Sequence, residues 1–364
     1  MQKLKKILAL LFFAILNASF LSFAFFNNPD LALILRITLS VPVFCLYLLN
    51  RTNIITVITF VCATVILVLQ GSVLFANAIF ILFSILALKK FDSAQLYRWA
   101  IKIQLLFLLF VVFLLITGMH PIGYSNISGR IRYDLGFYNV NVAAIYAYSF
   151  LMINILRMQK CTLTTAFCTL LTGTGLFMYC DSRAPFYTLI FFVFSCMMLD
   201  RSPQTAKLIF LCTSAVAFIS PCLITLSFFQ SEQMNKLLSL RPMFFARYAA
   251  DNTIWDLLLG GSKVVPVDNF YLVFLYNFGV LPYVLLSIFS IKLVSTLYKQ
   301  NRFLECAFFV SMCVFGLFEG SLLRPEIPIV LFFWLLFANN KSAVQCAEQA
   351  EPIPHSAAMR IKAI

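Results

Sequence analysis

Charge is scarce in this chain. Only 11% of its 364 residues are Asp, Glu, Lys or Arg, whereas soluble domains carry roughly 25%. A water-soluble fold of this length cannot bury a composition that is 62% hydrophobic and includes 41 Phe. Histidine is nearly missing. His120 and His355 are the only two and lie far apart, which argues against a His-based metal site. The motifs G-x-x-x-x-G-K-[ST], H-E-x-x-H and G-x-S-x-G do not occur, so P-loop, zincin and serine-hydrolase chemistry have no anchor. Asp-x-Asp is also missing, which removes a common way of holding a metal-bound nucleotide-sugar diphosphate. The eleven cysteines show no CxxC spacing. Cys45, Cys62, Cys168, Cys196, Cys212 and Cys313 lie inside apolar runs and read as small apolar residues, with no disulfide expected.

What the chain has is apolar runs near 20 residues long, the length that crosses a bilayer as a helix. The expected fold is an all-α polytopic integral membrane protein. Its spans are placed at roughly 7–26, 31–49, 54–70, 72–88, 99–117, 136–156, 162–179, 185–199, 207–226, 269–291, 303–318 and 327–338, twelve in all. The start, MQKLKKILALLFFAIL, resembles a signal peptide, but no A-x-A site follows and an uncleaved first span is expected. Residues 1–340 read as a single transmembrane domain and 341–364 as a flexible cytoplasmic tail.

The formal net charge of +13 would point to nucleic acid in a soluble protein. Here it is orientation signal, and no nucleic-acid partner is expected. With the N-terminus inside, 18 of the 27 cations fall in cytoplasmic segments and 8 on the other side, while Arg36 lies within the second span. That split follows the positive-inside rule. An odd error in span count would invert everything after it, so the alternation checks the count. The segments at about 118–135 and 227–268 are the long ones, and both fall outside.

Four charged clusters lie on that outer side: Arg130, Arg132 and Asp134 with Asn139 and Asn141; Asp181 and Arg183; the long loop with Arg241 and Arg247, closing on Asp268 and Asn269; and Glu319, Arg324 and Glu326. Guanidiniums grip phosphate oxygens in a bidentate fork and keep their charge at any physiological pH. Several at one water–lipid boundary suit a diphosphate attached to a lipid, and fixed cations stabilise a departing pyrophosphate without a metal. Plainer readings stand beside this one. Arg36 reads as a snorkelling side chain, and Arg130 and Arg132 as contacts to lipid headgroups. Asp181–Arg183 reads as an ion pair at a turn, Glu319–Arg324 as a pair closing a hairpin, and Lys236 and Lys263 as solvated charges.

In order, spacing and sidedness, several segments of this chain resemble Wzy-type polysaccharide polymerases, which belong to a superfamily with the O-antigen ligases. The segments are GRIRYDLGFYNVNVAAIYAY, DSRAPFYTLI, LSLRPMFFARYAADNTIWDLLLGG, VDNFYLVFLYNFGVLPYVLL and FGLFE, and the resemblance spans roughly 118–335. It implies a GT-C-like polymerase/ligase architecture with a large extracytoplasmic loop in a bacterial inner membrane, the active site facing the periplasm. It also implies a metal-independent glycosyltransferase without cofactor. Undecaprenyl-pyrophosphate-linked oligosaccharides would be donor and acceptor, and a chain-length regulator protein a partner. Carried onto this chain, Arg241 and Arg247 would grip the leaving pyrophosphate and Arg183 would contact phosphate, with Arg130 or Arg132 assisting. Asp268 would activate the acceptor hydroxyl, and Asn141, Asn269 and Glu319 would position sugars, with Arg324 also binding substrate. Two departures stand out: Asp268 sits where superfamily members often place His, and Ser-Leu precedes Arg241 in an altered loop motif. Two other readings stay open at this stage, an O-antigen ligase-type transferase and a flippase or transporter. No repeat between the halves supports the latter.

Overall fold

The computed structural model describes residues 1–50, 73–127, 130–225, 231–237, 241–262, 264 and 267–338. Its helices in chain order are α1 (Gln2–Ala24), α2 (Pro29–Leu49), α3 (Val73–Leu88) and α4 (Ser93–Ile116), followed by α5 (Val140–Met158), α6 (Leu163–Cys180), α7 (Arg183–Arg201) and α8 (Pro203–Ile224). Then come α9 (Glu232–Leu237), α10 (Arg241–Asp251), α11 (Ile254–Leu259), α12 (Phe270–Phe278), α13 (Val280–Lys299), α14 (Phe303–Phe318) and α15 (Pro328–Ala338). A short antiparallel hairpin, β1 (Tyr124–Ile127) and β2 (Arg130–Tyr133), lies between α4 and α5.

Seven of these helices are long and apolar enough to cross a membrane, and α3, α7, α14 and α15 contribute shorter apolar stretches. The chain is an all-α membrane protein in its architecture. The expected span 54–70 and the tail 341–364 lie outside the described residues. Every other expected span coincides with a helix, except that 269–291 is two helices.

Side-chain chemistry at the helix ends explains the boundaries. Asn28, Asp92, Asn139, Thr162 and Asn269 each cap a helix start by accepting from a backbone N–H of the first turn. Gln159 and Asp181 end α5 and α6 in the left-handed conformation, at φ 59° and 43°.

Burial sorts the helices. Helices α14 and α15 are sheathed by the rest, with Cys306–Val310 and Val330–Leu331 fully enclosed. In contrast, Leu33, Ile34, Ile37 and Val41 of α2, and Leu106, Leu109 and Phe113 of α4, are exposed. Apolar stripes that long are not left to water; a bilayer is the solvent that covers them.

Two contacts fix which helix ends lie together. Tyr138 N donates to Ala24 O at 2.9 Å, so the end of α1 meets the start of α5. At the opposite end, Lys5 Nζ donates to Asn50 Oδ1 at 2.9 Å and Lys90 Nζ to Asn50 O, gathering the amino-terminal lysines with the α2 end and the α3–α4 turn.

The break at Gly279 shapes the outer half. Phe218 packs on the rings of both Tyr271 and Tyr283, with centroids 4.7 and 5.7 Å away. A straight helix would separate those two residues by roughly 18 Å, so the chain turns at Gly279, which holds φ +88°. The loop helix α11 packs into this turn. A Cβ on Gly279 would lie 2.7 Å from Leu258 O, and one on Gly260 would lie 2.4 Å from Asn277 O. Only glycine allows that backbone approach.

Arg36 does more than snorkel. Its Nη2 pairs with Glu326 Oε1 at 2.9 Å, and Glu326 is only 4% exposed. The bridge ties α2 to the segment just before α15.

Candidate functional site

The end of the bundle opposite the lysines is formed by the starts of α5, α7 and α12 and the ends of α6 and α14. Each brings a polar residue. On β2, Arg132 donates through Nη2 to Asn141 Oδ1 at 2.8 Å and through Nε to Cys180 O at 3.2 Å. Ser182 Oγ donates to the same Asn141 oxygen at 3.0 Å. Hairpin, α5 start and α6–α7 turn are thus bound together. Asp134 serves the hairpin itself: its Oδ1 accepts from Gly123 N and Gly136 N, both at 2.8 Å.

The α6–α7 turn places Asp181 and Arg183 side by side, 3.8 Å apart. The expected ion pair is there, and both residues also face the site. Arg241 opens α10, its guanidinium 5.7 Å from the centre of the Phe318 ring. The Arg241 Nε is buried and has no hydrogen-bond partner among the described residues.

Asn269 fastens the last wall. It is fully buried; its Oδ1 caps α12 by accepting from Leu272 N at 2.9 Å, and its Nδ2 donates to Leu317 O at 2.9 Å. That second bond draws Asp268 beside the end of α14, where Glu319 follows the last apolar turn. Gly320 permits the approach, since a Cβ there would meet Val267 O at 3.0 Å.

The result is a cavity of about 360 Å³ lined by Arg132, Asn141, Asp181, Arg183, Ala184, Arg241, Phe244, Phe245, Val267, Asp268 and Glu319. That is within the range of small-molecule sites. Three guanidiniums face three carboxyl groups. Glu319 is 7% exposed. Burial first, and then the Asp268 charge, push its carboxyl from the ordinary 4.5 up to about 8, against the opposing pull of Arg241, Arg324 and Arg132. With Glu319 protonated the lining carries a net positive formal charge, and with it ionised the three guanidiniums balance the three carboxylates. Among the described residues no cluster of three or more His, Cys, Asp or Glu is arranged to hold a metal ion.

Of the residues singled out in the sequence, Arg132, Asn141, Arg183, Arg241, Asp268 and Glu319 meet in this cavity. Asn269 lies beneath it as a positioning residue. Arg324 is exposed outside the lining and acts on Glu319 through its charge. Arg247 is separated from Arg241. Both lie on the continuous helix α10, where six residues leave two side chains roughly 120° apart. Arg247 is 79% exposed and pairs with Asp251 at 3.8 Å. Arg130 begins β2, backbone-paired with Ile127; its side chain, like those of Lys236 and Lys263, lies outside the described atoms. Sequence reasoning assigned no role in the site to Asp181, Phe244 or Phe245. The one available signal was their place beside or within the arginine clusters.

Comparisons of the chain with protein-family models, with curated proteins and with solved structures find no match.

Proposed function

We propose that this protein is a polysaccharide polymerase that acts on lipid-pyrophosphate-linked oligosaccharides. It would be a twelve-span, GT-C-like enzyme of a bacterial inner membrane, its cavity opening to the periplasm. The observation that carries the reading is the convergence of Arg132, Arg183 and Arg241 with Asn141, Asp268 and Glu319 in one cavity, from segments far apart in sequence. The cavity sits at the bundle end away from the amino-terminal lysines, which the positive-inside rule assigns to the periplasm.

On this reading the pyrophosphate of the donor lies against the three guanidiniums. Arg132, braced by Asn141 and Cys180, and Arg241, its guanidinium over the Phe318 ring, are held before substrate arrives. Preorganised charge of this kind is worth most where a leaving anion develops. Asn141 and the aromatic wall of Phe244 and Phe245 face the sugars. The donor glycan is transferred to an acceptor hydroxyl on a new lipid-linked unit, and the lipid pyrophosphate departs with no nucleotide consumed. A chain-length regulator protein is the expected partner.

Deleting the gene in its host and resolving the surface polysaccharide on a gel tests this. Where the glycan is an O-antigen, loss of a polymerase leaves lipid A-core bearing one repeat unit. A core with no repeat units would instead indicate a ligase, and repeat units accumulating on the cytoplasmic face a flippase.

A further inference from the structure

We infer that Glu319, and not Asp268, takes the proton from the attacking hydroxyl. This rests on the polymerase reading of the same cavity. The two carboxyl groups differ in placement. Asp268 is exposed, in the loop before α12. Glu319 is enclosed where α14 ends, in extended backbone at φ −144°, and lines the cavity. A carboxylate shielded from water is a stronger base than a solvated one, and general bases work best with proton affinities near the operating pH. Burial and the Asp268 charge bring Glu319 into that range, up to about 8.

The charged groups around Glu319 are Asp268 from the loop before α12, Arg241 from α10, Arg132 from β2 and Arg324 from the turn after α14. Asp181 and Arg183 complete the charged lining of the cavity. Arginines ahead of the reacting centre and a shielded carboxylate beside it fit an in-line displacement. The acceptor oxygen bonds to the anomeric carbon as the bond from that carbon to the phosphate oxygen breaks. The bonding pair leaves on the pyrophosphate, facing Arg132, Arg183 and Arg241. The hydroxyl proton passes to the Glu319 carboxylate and returns to water through the mouth of the cavity, beside Asp268.

The test uses the purified full-length protein in proteoliposomes, with lipid-linked repeat units isolated from the host carrying a deletion of this gene. Polymer formation is followed from pH 6 to pH 9.5. For wild type, kcat/KM climbs roughly tenfold per pH unit below a midpoint near 8 and then levels off. Glu319→Gln gives a pH-independent rate about 10²-fold or more below the wild-type plateau, while Glu319→Asp recovers part of it. Asp268→Asn loses less than Glu319→Gln, and its midpoint moves to lower pH because a negative neighbour is gone. Retained binding of inorganic pyrophosphate by Glu319→Gln at pH 7 shows that its cavity is intact. Should that variant fail to fold, the Asp268→Asn profile decides alone. An inactive Asp268→Asn, or a fully active Glu319→Gln, overturns the assignment and leaves the polymerase reading standing. Wild type that builds no polymer from these units overturns the polymerase reading, and this assignment with it.

Discussion

Replacing Glu319 by Gln isolates what it costs the fold to hold this carboxyl group. Glu319 is 7% exposed and its carboxyl is pushed from 4.5 to about 8. At roughly 1.4 kcal/mol per unit, that displacement corresponds to a ceiling of about 5 kcal/mol. The sign follows from proton counting. The folded protein keeps a proton that the unfolded chain releases between pH 4.5 and about 8, so stability falls across that window and is flat on either side. Glutamine has the shape of the protonated acid and does not titrate. Glu319→Gln should therefore match wild type near pH 4.5 and gain on it by about 1 kcal/mol per pH unit up to pH 8. In apparent melting temperature, read in mild detergent at half-unit pH steps, that is a divergence of several degrees. Parallel curves with a constant offset would refute the reasoning, since they would mean that Glu319 titrates alike in folded and unfolded chains.

Three further outcomes follow from the geometry. Arg241→Ala should abolish polymer and leave single repeat units, and Arg241→Lys should impair it because an ammonium cannot fork; Arg247→Ala should leave polymer length unchanged on the same gel, its exposed pair with Asp251 adding at most about 1 kcal/mol. Removing the Arg36 side chain strands the buried carboxylate of Glu326 and should cost about 3 kcal/mol or more in detergent stability, while Arg36→Ala combined with Glu326→Gln should recover most of it. Gly279→Ala should cost roughly 1–3 kcal/mol, from φ +88° and a 2.7 Å contact with Leu258 O, and should raise protease cleavage between α10 and α12.

The helices were legible because apolar runs bounded by Asn, Asp, Thr or Pro report a bilayer-length helix and its cap directly. Where the sequence misled, tertiary contact was the cause. The run 269–291 is apolar throughout, and nothing but Gly279 hints that it bends to receive α11. Arg36 reads as a boundary residue until Glu326, 290 residues later, is seen beside it. The clusters of the site were each visible, but their meeting was not, because it depends on bonds such as Asn269 to Leu317 O and Arg132 to Cys180 O that no local pattern encodes. Arg247 was grouped with Arg241 by proximity in sequence, and the continuous turn of α10 parts them. Glu319 was placed among the sugar-positioning residues; what distinguishes it is enclosure, fixed by Gly320 against Val267 and by the nearness of Asp268.

The central claim is that the arginine-lined cavity transfers glycan from one lipid pyrophosphate to another. Its most direct test counts products in proteoliposomes supplied with lipid-linked repeat units and no nucleotide. The account predicts one undecaprenyl pyrophosphate released for each new glycosidic linkage by wild type, and neither product from Arg241→Ala. Polymer made equally well by Arg241→Ala, or repeat units carried across the bilayer with no linkage formed, would contradict it.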